Sequence, residues 1–165
     1  MKLSATYKGF ITGILMVLLS LGIYKLRGSF ENNLQYITYA VYVGGIVWTL
    51  VSFHRRTGAT RSFKNYFTEG FKCFIVVTFV MVLFTYIFSV LNPGLKEQMA
   101  ANYRADLVSK KNYTGPEIDA MVQKAREYFN VMLTSMAIFG YILIGSLVTL
   151  VTSIFLAQRK LPDYR

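Results

Sequence analysis

Charge along this chain is confined to the gaps between four apolar stretches. Residues Gly9–Tyr24, Asn32–Phe53, Cys73–Leu95 and Tyr128–Gln158 run for 16, 22, 23 and 31 residues without Asp, Glu, Lys, Arg or His. A helix needs about 20 apolar residues to cross a bilayer. A core helix of a soluble protein carries a charged face, and these stretches have none. The pattern predicts an all-α integral membrane fold with four transmembrane helices, at about residues 9–25, 33–53, 73–92 and 132–156. The short first stretch is lengthened by Lys8 and Lys25, whose stems snorkel to the interface. It reads as a retained span, because Leu21-Gly22-Ile23-Tyr24-Lys25 holds no small-x-small cleavage pattern.

The polar gaps carry their own signals. The loop over 54–72 is basic and aromatic: Phe63, Tyr66, Phe67 and Phe71 recur at helical spacing, Lys64 and Lys72 flank them, and Ser62 is placed to cap. Such a stretch beside a span is suited to the headgroup layer. The gap over 94–127 predicts a helical hairpin between helices 3 and 4. Asn92-Pro93-Gly94 ends the third span, since proline cannot continue the helical ladder. Leu95–Val108 forms a helix, with Asp106 and Lys110 four residues apart. Ser109–Gly115 turns, and Thr114-Gly115-Pro116-Glu117 is a capping box that opens a second helix. Ile118, Met121, Val122, Ala125, Tyr128, Phe129 and Met132 then keep one apolar face that is expected to continue unbroken into the fourth span.

Composition adds bounds. Four spans and their connections use most of the 165 residues, so residues 1–165 form a single membrane domain with no room for a soluble catalytic one. The net charge is +10. Its basic residues stand at span ends, which argues for membrane topology and against nucleic acid as a partner. The side made of 1–8, 54–72 and 159–165 holds ten Lys/Arg in 34 positions, and the other side eight in 39. The denser side is therefore expected to be cytoplasmic, with both termini inside and the hairpin extracytoplasmic.

Candidate chemistry is sparse. The apolar stretches hold no ionisable residue of the kind that marks proton relays or ion paths. One His and one Cys do not make up a zinc set. His54, next to Arg55 and Arg56, reads as a solvated interfacial residue, and Cys73 as a small packing residue. Glu97, Asp106, Glu117, Asp119 and Glu127 lie among six basic residues, as on a mixed solvated surface. No phosphate loop, GxSxG or dinucleotide fingerprint occurs. No catalytic, metal or cofactor residues are assigned, and the chain is expected not to be an enzyme.

Two binding candidates remain. Arg55, Arg56, Arg61, Lys64, Tyr66, Phe67 and Lys72 are candidate contacts for anionic lipid or a partner protein. Within the second span Gln35, Tyr39 and Tyr42 are candidates for a polar groove, Tyr36 completing a stripe three residues apart and Gly44-Gly45 lying at its centre. Packing explains most of the small residues: Gly9 and Gly13 form a GxxxG, and Gly140, Gly145 and Ser146 give the last span a smooth patch.

The order of these signals resembles a family of four-span inner-membrane proteins of Bacteroidota, the domain of unknown function 4199 family. The matching pieces are Tyr86-Ile87-Phe88-Ser89-Val90-Leu91-Asn92-Pro93, the capped helix from Thr114 to Met121, Ile144-Gly145-Ser146-Leu147-Val148-Thr149-Leu150, and the basic tail. The resemblance implies the topology and a bacterial cytoplasmic (inner) membrane, and no activity or catalytic residues. The expected function is that of a non-enzymatic small membrane protein, an anchor, scaffold or accessory subunit of an envelope complex. The alternative is a carrier or accessory for a polyprenyl-phosphate-linked sugar or other anionic lipid. Membrane lipids are the expected partners, with another envelope protein as a further candidate; no cofactor is expected.

Overall fold

The computed structural model describes residues 3–27, 35–57 and 62–158. They form six helices: α1 (Ala5–Arg27), α2 (Gln35–Thr57), α3 (Phe63–Leu91), α4 (Pro93–Lys110), α5 (Gly115–Glu127) and α6 (Phe129–Gln158). Four of them, over Ala5–Leu26, Tyr36–Thr57, Phe63–Leu91 and Phe129–Gln158, are long and apolar enough to cross a membrane. Between 17% (α6) and 33% (α2) of the most apolar part of each is buried inside the protein. Their outer faces show large apolar side chains such as Phe10, Leu18, Phe79, Phe139 and Phe155. In water such faces would drive association; in a bilayer they meet acyl chains.

The chain divides into two compact units, Met1–Met81 with Ile138–Arg165, and Val82–Ala137. In the first unit, neighbouring helices meet where a glycine removes the side chain between them. A Cβ on Gly9 would lie 2.5 Å from the carbonyl oxygen of Cys73, so α1 lies directly on the backbone of α3. Gly145 of α6 likewise makes room for the Tyr42 hydroxyl and the Phe74 ring. The pairs Lys8 with Trp48, Thr49 with Cys73, His54 with Tyr66, and Gly70 with Thr149 fix the directions of the helices. The starts of α1 and α3 and the ends of α2 and α6 therefore share one end of this unit. Met16, Ile46, Leu50, Phe74 and Val77 fill its core.

Two threonine hydroxyls inside this unit turn to their own helices. Thr12 Oγ1 donates to Lys8 O and Thr49 Oγ1 to Gly45 O, each at 2.9 Å. This satisfies a polar group without water, which is what a membrane interior requires.

The second unit holds the helical hairpin. Asn92 closes α3 by donating from Nδ2 to Phe88 O at 2.9 Å, and Pro93 starts α4 where a missing N–H costs nothing. The helix covers Pro93–Lys110, slightly longer at each end than its apolar pattern alone implies. It ends at Lys111, which takes a left-handed backbone (φ 52°). Ala100, Leu107, Ile118 and Val122 meet between α4 and α5, with Met121 beside them. Two ion pairs cross the same seam, Arg104–Asp119 at 2.7 Å and Arg126–Glu97 at 2.8 Å. Both are exposed, so the apolar contacts carry most of the stability.

One expectation for this unit is corrected. The apolar face from Ile118 does not run on in an unbroken helix: α5 ends at Glu127, and Tyr128 (φ −92°, ψ 7°) separates it from α6. Those dihedrals lie in the sparsely occupied bridge region, outside the helical well. Hydrogen bonds from Tyr128 N to Lys124 O (3.0 Å) and from Met132 N to Tyr128 O (2.8 Å) still flank the break.

Candidate functional site

The basic residues picked out on either side of the α2–α3 connection fall into three groups. Arg55 and Arg56 end α2 and are exposed, as is Lys64 at the start of α3. Arg56 is held by its neighbours: Nε donates to Ser52 O at 3.1 Å, and Nη1 reaches Leu3 O, at the start of the chain, at 3.4 Å. Lys72 is exposed and paired with Glu69 at 2.8 Å. Arg61 lies outside the described residues. The aromatic run is helical, as its spacing predicts, and belongs to α3 itself. Phe67 is half-buried, its ring 5.7 Å from that of Phe63 and 6.5 Å from that of Phe71.

Two side chains here are not where the sequence suggests. Tyr66, a candidate surface contact, is completely buried, and His54, expected in solvent, is only 7% exposed. The Tyr66 hydroxyl and His54 Nδ1 are hydrogen-bonded at 2.7 Å, and Phe53 packs edge-on against the Tyr66 ring at 5.5 Å. Burying either polar group alone costs free energy, and placing them together offsets it. This clamp ties α2 to α3 directly beneath the exposed arginines.

Lys8 also departs from expectation. Rather than snorkelling outward it is 4% exposed, with Nζ 4.9 Å from the centre of the Trp48 ring. A cation over an indole face is attracted by the ring quadrupole. No sequence signal joins these residues, which are 40 positions apart on different helices. Among the described residues Lys8 has no carboxylate within ion-pair distance.

The proposed polar groove of α2 is largely closed. Gln35 opens the helix, and its side chain lies outside what the structure describes. Tyr36 is 70% exposed, Tyr39 is half-buried with its ring 6.1 Å from that of Tyr141, and Tyr42 is fully buried. Tyr42 donates its hydroxyl hydrogen bond to the carbonyl of Tyr141 at 2.8 Å, and the two rings meet edge to face at 5.5 Å. Tyr42 is thus a bolt between α2 and α6, corrected from a groove-lining residue. Cys73 is buried 3.3 Å from Thr49 Oγ1, as a packing residue would be. Thr149 Oγ1 and Ser153 Oγ, one turn apart on α6, are buried without a hydrogen-bond partner among the described residues. No three His, Cys, Asp or Glu side chains come together there as a metal set.

The comparison with known families agrees with this architecture over nearly all of its length: the profile described as Protein of unknown function (DUF4199) matches residues 7–158. The chain belongs to the DUF4199 family. The match begins one residue before Lys8 and ends with α6, so it takes in all but the first two residues of the four candidate spans, and the hairpin, of this DUF4199 member. No curated protein and no solved structure matches the chain.

Proposed function

We propose that this DUF4199 protein is a non-enzymatic, multi-pass component of a bacterial cytoplasmic membrane, acting as anchor, scaffold or accessory subunit for another envelope protein. Both termini face the cytoplasm, the side with the denser Lys/Arg. The observation that carries the reading is the end of the first unit where α2 meets α3. There Arg55, Arg56 and Lys64 are exposed on a rigid base clamped by His54 and Tyr66. A charged surface held in place loses little entropy when an acidic partner docks on it. The alternative is a carrier or accessory for a lipid-linked sugar or other anionic lipid working through Gln35, Tyr39 and Tyr42; it loses support at Tyr42, whose hydroxyl is bonded to the carbonyl of Tyr141.

The test is purification from the native membrane in mild detergent, followed by mass spectrometry of co-purifying proteins and lipids. A stoichiometric acidic partner, lost when Arg55, Arg56 and Lys64 are all changed to Gln, supports the docking reading. A partner retained by that variant places the dock elsewhere. A specific isoprenoid phosphate with no protein partner reverses the ranking in favour of the carrier.

A further inference from the structure

The hairpin unit contains a cleft that neither the docking reading nor the family assigns. It lies along α4, α5 and the first turn of α6, with a volume of about 450 Å³, within the range of small-molecule sites. Phe129 is its buried floor; Met99, Met121 and Met132 form its apolar walls; Lys96 and Lys124 complete the lining. Three methionines give a surface that adapts to an irregular or flexible apolar guest. Phe129 and Met132 also begin a candidate membrane span, so the cleft opens where acyl chains are available.

Charge selects the guest. Of the hairpin's other cations three are matched, Arg104 with Asp119, Arg126 with Glu97, and Lys110 with Asp106, while Lys111 at the turn is in no ion pair among the described residues and does not line the cleft. Lys96 and Lys124, the two that line the cleft, enter no ion pair among the described residues. An apolar trough lined by two lysines that enter no ion pair among the described residues is complementary to an anionic head joined to an acyl chain. We infer that this cleft binds one anionic phospholipid of the surrounding membrane, its phosphate between Lys96 and Lys124 and one acyl chain along Met99, Met121 and Met132. A chain arriving from the bilayer is already in an apolar medium and gains little from the trough itself. Preference for this lipid over its neighbours therefore comes from the two lysines.

The test uses the full-length protein, delipidated in detergent and titrated with phosphatidylglycerol or with phosphatidylcholine of the same chains, with bound lipid counted by native mass spectrometry. The first phosphatidylglycerol is expected to bind about tenfold more tightly than phosphatidylcholine, and Lys96→Gln with Lys124→Gln to remove that preference. Ala125→Trp, which fills the cleft, is expected to remove the tight site for either lipid. Helix content checked by circular dichroism separates lost binding from lost folding. If the double variant does not fold, the two single variants carry the test, each expected to lower the preference about threefold. An unchanged preference in the lysine variants, or tight binding that survives Ala125→Trp, overturns the inference. So does displacement of the lipid by inorganic phosphate alone, or a dimer that Ala125→Trp dissociates without affecting lipid.

Discussion

The hydroxyl of Tyr66 lies 2.7 Å from Nδ1 of His54, and both side chains are buried between the end of α2 and the start of α3. The bond joins two helices that are consecutive in sequence and antiparallel in space, just below the arginines offered to a partner. Tyr66→Phe keeps the ring that Phe53 packs against and removes only the oxygen, leaving His54 Nδ1 without this partner. The variant should lose about 1 kcal/mol, the scale of side-chain hydrogen bonds between membrane helices. Reversible unfolding in mixed detergent micelles measures this, with exposed Arg55→Gln as the neutral control. Equal stability of Tyr66→Phe and the parent protein would show that the clamp is decorative.

Glycines on the same helix should differ sharply in what they tolerate. A methyl on Gly9 meets the Cys73 carbonyl, which belongs to the backbone of α3 and cannot rotate away. A methyl on Gly22 meets nothing within 4 Å. Gly9→Ala should therefore force α1 off α3 and cost about 1–3 kcal/mol, as overpacking does. Gly22→Ala should be neutral or slightly stabilising, because alanine favours the helix. Comparing the thermal unfolding midpoints of the two variants in one detergent decides the matter. Similar losses at both positions would argue against a direct contact of α1 with the backbone of α3.

Thr149 offers a prediction of opposite sign. Its hydroxyl is buried with no partner among the described residues, and its methyl and hydroxyl both pack where Gly70 leaves space. Replacing an unsatisfied hydroxyl by an isosteric methyl removes a desolvation penalty and keeps the shape. Thr149→Val should leave stability unchanged or raise it by up to about 1 kcal/mol. A clear loss of stability would mean that the hydroxyl has a ligand, such as a bound water, that deserves to be located.

The spans and the hairpin could be read from the sequence because their signals are local. Absent charge marks a span wherever it packs, and Asp106 with Lys110 or Thr114 with Glu117 meet through helix spacing alone. The interior of the first unit could not be read in that way. Tyr36, Tyr39 and Tyr42 form a tidy stripe on paper, yet three residues fall short of one 3.6-residue turn, so each step rotates the side chain by about 60°. Two steps carry the stripe from exposed Tyr36 to sealed Tyr42, where Gly145 on another helix completes the fit. From the sequence His54 reads as solvated because Arg55 and Arg56 follow it. Adjacent residues on a helix point about 100° apart, so exposed neighbours say little about the one between them and the core. Lys8 over Trp48 shows the same limit: periodicity assigns a residue to a face, and only packing decides which helix that face meets.

The hairpin should respond to acid through Glu117. Its Oε2 accepts hydrogen bonds from both the backbone N–H and the hydroxyl of Thr114, each at 2.8 Å, at the start of α5. The backbone bond first, and then the hydroxyl, hold the carboxyl below its ordinary value. A depressed value in the folded hairpin means that ionised Glu117 favours the folded form. That contribution is fully present above the ordinary carboxylate range, and it is lost as pH falls through the lowered value. Amide hydrogen exchange over residues 114–118, followed across the acid range, should therefore show weakening protection of the first turn of α5. Glu117→Ala should show the weaker protection already at neutral pH, and little further change on acidification from this site. The Ala100–Leu107–Ile118–Val122 contacts do not titrate and should hold the middle of the seam together in both proteins. A first turn whose protection is the same in both proteins at neutral pH would mean that the Thr114–Glu117 bonds do not secure the start of α5.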